Sequence, residues 1–325
     1  MNTPRRTFLK LSLAAMPALQ SMPAWARSFP SKPITLVVPF APGGNIDVVG
    51  RSLSVPLSKL LGQIVVVENR AGAGGGIGTA SVARAEPDGH TLLVATPAQV
   101  ATLPQMFKTA YDVASFQPVG VATRTSMIVV ARRDDARFKT FDDFLALARG
   151  KPGAINAGHA GNGTPNHLAL LQLENAARCQ FGAVAYKGSG PALVNLLGAQ
   201  IDVVFDQVTS SMPHIKSGAL RPLAILGPVA DPTLPGVPTL AESNVGRFDA
   251  TTYAGLLAPA GTPGAVIDIL SQALKKALAD PQLNASLNAL GSFTESGDAA
   301  ALKTLLDTER VLAMKLVAEG RLTAN

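Results

Sequence analysis

The chain has 325 residues, of which 47% are hydrophobic and 15% charged, with a formal charge of +6 and a single cysteine. Three tyrosines, one tryptophan and scattered lysines and arginines argue against a nucleic-acid groove, which needs basic clusters and stacking aromatics. Cys179 alone excludes an intramolecular disulfide and reads as a small buried hydrophobe.

The first 26 residues read as a secretory signal. Arg5, Arg6 and Lys10 precede a short apolar run, Leu11 to Leu19, and Ala24-Trp25-Ala26 offers a cleavage site after Ala26. Arg5-Arg6-Thr7-Phe8-Leu9-Lys10 resembles a twin-arginine export signal, although Pro4 stands where Ser or Thr is usual. Removing this segment leaves a charge of +3, a balance that suits an anionic small ligand. The remaining length accommodates two domains.

Apolar runs then alternate with helical periodicity. Strand 34–40 leads into a helix with Ile46, Val49, Leu53, Leu57 and Leu60 on one face, in which Pro56 predicts a kink. Strand 64–69, a glycine-rich turn, a helix near 77–85 and strand 91–96 complete a β-α-β-α-β series, the pattern of a parallel sheet. Strands at 117–122 and 126–131 open a second α/β series. Its helices fall near 140–149, 165–178, 188–197 and 208–216, and its strands at 154–157, 182–186, 201–206 and 221–226. A Pro/Gly loop, 227–240, precedes strand 252–259 and a helical tail with stripes at Val266, Leu270, Leu274, Leu278 and at Leu302, Leu305, Leu312, Leu316. The expected fold class is therefore α/β in two lobes, with 27–123 plus 248–325 as lobe one and 124–247 as lobe two.

Three loops carry the chemistry. In "VVPFAPGGNID" (37–47) a strand ends in Pro42-Gly43-Gly44 and a helix starts at once, which bares backbone N–H groups at the positive end of a helix, a place for a carboxylate or phosphate. Asp47, in the first helical turn, suits bracing that helix start better than touching a ligand. In "AGHAGNGTPNHL" (157–168) Gly161, Asn162 and Gly163 precede Thr164, a good N-cap, and Pro165 at the first helical position. Two such helix starts on facing lobes would hold a small di-acid. "NRAGAGGGIG" (69–78) fits neither a dinucleotide fingerprint nor a phosphate-binding lysine loop and remains a turn able to line a cleft. Thr96, Tyr186 and Asp206 each lie at or just beyond the end of a strand, where ligands of open α/β sheets bind; Asp206 equally suits capping the next helix.

Catalytic patterns are weak. Gly188-Ser189-Gly190 lacks the first glycine of a nucleophile elbow, and His90, His159, His167 and His214 form no metal-ligand spacing and read as surface or capping residues. A hydrolase or transferase using Thr164 or Ser189 would need a general base, and the sequence offers no clear one. A ligand sensor for a signalling partner would share every binding residue named above.

The segments "SKPITLVVPFAPGGNIDVVGR", "LGQIVVVENRAGAGGGIG", "PDGHTLL", "AGNGTPNHLA", "YKGSGPALVNLLGAQIDVVFD", "PHIKSGALRPLAI", "LPGVPTLAE" and "GLLAPAGTP" resemble, in order, the Bug or TctC family of periplasmic solute-binding proteins of tripartite tricarboxylate transporters. The resemblance implies a hinged, two-lobed periplasmic-binding-protein fold of the Venus flytrap kind. It implies a periplasmic, non-enzymatic protein that binds a carboxylate, di- or tricarboxylic or aromatic, and delivers it to membrane transporter subunits. No cofactor, metal or nucleic acid is expected, and the chain is expected to act as a monomer. Carried over, the ligand-binding residues are Pro42, Gly43, Gly44 and Asp47 on lobe one, facing Gly161, Asn162, Gly163 and Thr164, with Asp206 alongside. Two positions depart from the family pattern: Asn45 stands where a small residue is common, and Gln207 follows Asp206 where Asn is frequent.

Overall fold

Strands rich in Val, Ile and Leu, whose successive side chains face opposite sides, form two sheets in the computed structural model, which describes residues 29–243, 245–246, 248–295, 298–320 and 322. The signal and its cleavage after Ala26 lie outside the described residues.

The first sheet is centred on β1 (Ile34–Val38), parallel to β2 (Val65–Asn69) on one side and β3 (Thr91–Ala95) on the other. The crossovers are α1 (Asn45–Leu61) and α2 (Gly76–Ala83). Two short helices, α3 (Pro97–Ala101) and α4 (Leu103–Met106), precede β4 (Phe116–Thr125). The chain's later strand β10 (Thr252–Pro259) lies antiparallel between β3 and β4, and β11 (Ser292–Thr294) pairs with the outer side of β4. Alternation sorts the core. Leu36 and Val38 face α1 and α9 (Gly264–Leu278), while Val37 faces the side covered by α11 (Ala299–Ala318). All three are fully buried, each worth roughly 1.5–3 kcal/mol.

The second sheet runs β7-β6-β8-β5-β9, from β5 (Met127–Arg132), β6 (Asn156–His159), β7 (Gly182–Ala185), β8 (Val203–Gln207) and β9 (Leu220–Ile225). Met127 and Val129 pack on the face covered by α5 (Phe141–Gly150) and α6 (Pro165–Ala177); Ile128 and Val130 pack on the face of α7 (Ser189–Leu197) and α8 (Val208–Lys216).

Ser126 alone separates β4 from β5, so the chain steps directly from one sheet to the other. It returns before β10, where Thr252 pairs with Thr125. The two ends of the links are thus side by side in one ladder. Thr125 Oγ1 donates to the Gly291 carbonyl (2.8 Å) and accepts from Thr209 Oγ1 of α8 (3.1 Å), tying both sheets to this crossing point.

Pro56 lies inside the 17-residue helix α1. Two local features differ from expectation. A helix α10 (Pro281–Asn288) follows α9, started by Asp280, whose carboxylate accepts from the Gln282 and Leu283 N–H groups. Only Leu283 and Leu287 of that helix are buried, too few to make a visible stripe. Cys179 lies beyond the end of α6, half-buried, and burial, followed by Glu174, pushes its thiol up to about 11.

Candidate functional site

The turn after β1 is shaped by one glycine and one acid. Gly43 has φ +88°, a left-handed conformation that suits glycine. Asp47 reaches back so that Oδ2 accepts from the Gly43 N–H (3.0 Å); the same carboxylate accepts from Arg51 Nε (3.0 Å) and Asn69 Nδ2 (2.8 Å). Burial would raise its pKa, but these donors and the Arg51 charge hold it below the usual carboxylate range. Asp47 is thereby committed to the helix start. The N-cap of α1 is Gly44, which has no side chain to satisfy the first-turn N–H groups.

After β3, Thr96 and Gln99 form a capping box. Gln99 Oε1 accepts from the Thr96 N–H (2.9 Å) and Oγ1 (2.5 Å). Fixing the carboxamide oxygen there fixes Nε2 on the other side. That nitrogen is buried and makes no hydrogen bond to any described residue.

In the second sheet, the loop after β6 is built on histidines. His159 Nδ1 accepts from the Gly161 N–H and His167 Nδ1 from the Gly163 N–H, both at 3.3 Å, and the rings stack at 4.7 Å. Both are buried rather than surface residues. Burial, and then the neighbouring His167, lowers His159 to about 4; burial lowers His167 as well. Thr164 caps α6, accepting from the His167 N–H (3.4 Å) while its hydroxyl donates to the Gly161 carbonyl (2.6 Å). Asn166, one residue into α6, exchanges amide hydrogen bonds with Gln207 (3.2 and 3.4 Å) and donates to the Phe205 carbonyl (2.8 Å).

These parts meet. The Ala41 N–H donates to the Lys187 carbonyl (2.9 Å), and a β-carbon on Gly44 would lie 3.5 Å from the β-carbon of Ser189. Between them lies a cavity of about 20 Å³. Its wall takes Phe40 from the turn after β1, Gly44, Asn45 and Ile46 from the start of α1, and Thr96 and Gln99 from the start of α3. The second sheet contributes Ala160, Pro165 and Asn166 at the start of α6, Ser189 at the start of α7 and Gln207 before α8. Four helices of eight residues or more thus begin at one cavity, and among the described residues that line it none is ionisable. Each presents the positive end of its dipole, so the site favours an anion without any cationic side chain.

Of the residues expected from sequence, Gly44 and Thr96 line this cavity. Pro42 and Gly43 lie at the seam beside it, opposite Gly190. Asp47 braces α1, and Thr164 is buried within its own turn. Gly161 and Asn162 line a second, larger cavity of about 630 Å³, together with Gly74, Ile77, Leu103 and Phe107, and Gly163 packs against Leu103. Tyr186 packs with the α7/α8 side of the second sheet, its N–H donating to the His159 carbonyl (3.0 Å). Asp206 is fully buried behind Gln207, its Oδ2 accepting from Ser210 (2.7 Å) and Ser211 (2.6 Å); burial raises its pKa against those hydroxyls.

The cavity adds Asn45, Gln99, Asn166, Ser189 and Gln207 to the expected set. The T-x-x-Q spacing of Thr96 and Gln99 is a capping-box signature and could have flagged Gln99. Asn166 follows Thr164-Pro165, a legible helix start.

Residues 49–318 match the family described as Tripartite tricarboxylate transporter family receptor. A protein of Pseudomonas sp. (strain P51), named UPF0065 protein in tcbD-tcbE intergenic region, is 38% identical over 327 residues, covering 100% of this chain and 97% of that one. Among solved structures, the periplasmic binding protein BugD is 34% identical, with TM-score 0.86 over 91% of this chain and 99% of its own. MatC of Rhodopseudomonas palustris, solved with bound malate, is 32% identical, with TM-score 0.84 over 89% and 100%. The chain belongs to the tripartite tricarboxylate transporter receptor family, TctC, and has the two-lobed fold of periplasmic binding proteins; its relatives are solute-binding proteins and not enzymes.

Proposed function

We propose that the protein is a periplasmic receptor that closes on a small carboxylate and hands it to a membrane transporter of the tripartite tricarboxylate type. The observation that carries this reading is the convergence of four helix starts on one cavity without a charged side chain. Each terminus contributes up to ~2 kcal/mol in partly buried geometry. Micromolar affinity needs about 8 kcal/mol, a figure the four termini reach only at that upper limit, so amide hydrogen bonds contribute as well. MatC holds malate and a second Rhodopseudomonas palustris relative, 28% identical with TM-score 0.85, was solved with adipate, which supports a carboxylate here.

In this reading residues 27–123 with 248–325 form one lobe and 124–247 the other, moving about the Thr125–Thr252 crossing. A cavity of about 20 Å³ holds little more than one water, so the lobes part to admit the ligand and close over it. Asn45, Gln99, Asn166, Ser189 and Gln207 then join Gly44 and Thr96 in contact. Pro42, Gly43, Asp47, Gly161, Asn162, Gly163, Thr164, Tyr186 and Asp206 shape and support the two jaws. The signal would be cleaved after Ala26 on export.

The test is a thermal-shift screen of the mature protein against mono-, di- and tricarboxylates, aromatic acids, sugars and nucleotides. An acid at 100 times its Kd is expected to add ~2.7 kcal/mol of stability. Shifts with sugars or nucleotides and none with acids would falsify the reading.

A further inference from the structure

Asn45 is the first residue of α1, 3% exposed and part of the cavity wall. Neither Nδ2 nor Oδ1 makes a hydrogen bond to any described residue. A buried carboxamide without partners is costly and rare, so whatever enters the cavity has to serve it. Its demand is two-sided, an acceptor for Nδ2 and a donor for Oδ1. Turning the amide over exchanges the two positions and leaves the demand unchanged. Gln99 adds a one-sided demand, because Thr96 holds its oxygen and leaves Nε2 as a donor.

The ligand therefore meets two amide donors and one amide acceptor. A carboxylate satisfies the donors. It is acceptor-only, so it leaves Asn45 Oδ1 unserved. Where the ligand itself, rather than a retained water, supplies the missing donor, that donor is an ammonium or a hydroxyl. An ammonium would stand against four positive helix ends with no carboxylate in the cavity wall. Of the nearby acids, Asp47 is occupied by Gly43, Arg51 and Asn69, while Asp206, whose Oδ2 serves Ser210 and Ser211 and whose Oδ1 has no partner among the described residues, is fully buried and outside the cavity wall. A neutral hydroxyl carries no such penalty.

We infer that the ligand is a hydroxycarboxylate and that Asn45 is the residue that reads its hydroxyl. This rests on the carboxylate reading above and narrows it.

Calorimetric titration of the mature protein with matched pairs tests it: each enantiomer of malate against succinate, citrate against tricarballylate, lactate against propionate, with L-aspartate as the ammonium probe. The hydroxy acid of at least one pair is expected to bind about tenfold tighter or better than its deoxy partner. In Asn45→Ala both partners weaken, the hydroxy acid more, and the ratio collapses towards one. The ligand-free variant is expected to unfold at no lower temperature than wild type, because an unserved amide has been removed. Equal affinities within every binding pair overturn the inference and leave the carboxylate reading standing, as does a ratio that Asn45→Ala does not change. Aspartate binding tighter than malate overturns it in favour of an ammonium. Binding of no carboxylate removes both readings together. The wild-type comparison decides the matter even where the variant does not fold.

Discussion

Gly190, from the second sheet's α7, and Pro42, from the first sheet's leading turn, touch backbone to backbone: a β-carbon on Gly190 would overlap the Pro42 carbonyl oxygen. The glycine is needed only when the two sheets are together. Gly190→Ala is therefore expected to fold normally, since alanine in a helix is better than glycine by up to about 1 kcal/mol. Its ligand affinity should fall at least about tenfold, with a larger radius of gyration in scattering of the liganded protein. An alanine variant that binds as tightly as wild type would show that this contact does not form on closure.

Gln99 offers its amide nitrogen to the cavity because Thr96 holds its oxygen. Gln99→Glu keeps the size and the Thr96 contact while replacing the donor with an acceptor that carries charge. Two like charges at about 4 Å repel by about 4 kcal/mol at an effective dielectric of 20. Carboxylate affinity at pH 7.5 should drop by at least a factor of about 30 and recover in part near pH 5, where the new acid protonates. Calorimetry at the two pH values decides it, and an affinity unaffected by the substitution would place the carboxylate elsewhere.

The His159–His167 stack predicts acid sensitivity. His159 is held at about 4, below its ordinary value near 6.5, by burial first and then by His167. The unfolded chain takes up its proton first, so this contribution is complete above about pH 6.5 and is lost as pH falls through the folded value. The loss approaches about 3 kcal/mol for this group, at 1.36 kcal/mol per pH unit. Urea unfolding between pH 7 and pH 4 should show it. His159→Asn retains an acceptor for the Gly161 N–H and should flatten the curve; parallel curves for the two proteins would discount this histidine as its source.

Asp47 is expected to matter first to stability. Asp47→Ala removes hydrogen bonds to Gly43, Arg51 and Asn69 at a largely buried carboxylate. Charged hydrogen bonds contribute roughly 1.5–3 kcal/mol, so denaturant unfolding should detect about 2–3 kcal/mol of loss. Because its pKa is lowered, this stabilisation is present above the ordinary Asp range near 4 and disappears as pH falls below it. Wild type and variant should converge in acid.

Much of the fold was legible because it rests on periodicity. The β1-α1-β2-α2-β3 series and the second series follow apolar spacing that sheet pairing enforces. The elements that escaped are short or start on polar signals: α3 on Thr96 with Gln99, α10 on Asp280 with Pro281. The site was legible at its helix starts, where Gly44 and Thr164 carry local signatures. It was not legible in its amides. Asn166 and Gln207 lie 41 residues apart and meet only because β8 lies next to β6 in the second sheet. Asp206 looked like a cleft acid because it ends a strand, yet strand alternation turns it inward and leaves Gln207 at the cavity wall.

The Ala41–Lys187 hydrogen bond joins main chain to main chain across the seam. No side chain takes part, so substitutions at either position that keep the backbone N–H of residue 41 are expected to leave the latch intact. Cargo preference and closure are thereby written in different alphabets, amides for one and backbone for the other. Selection for a new solute can rewrite Asn45 or Gln99 without having to rediscover how the jaws shut.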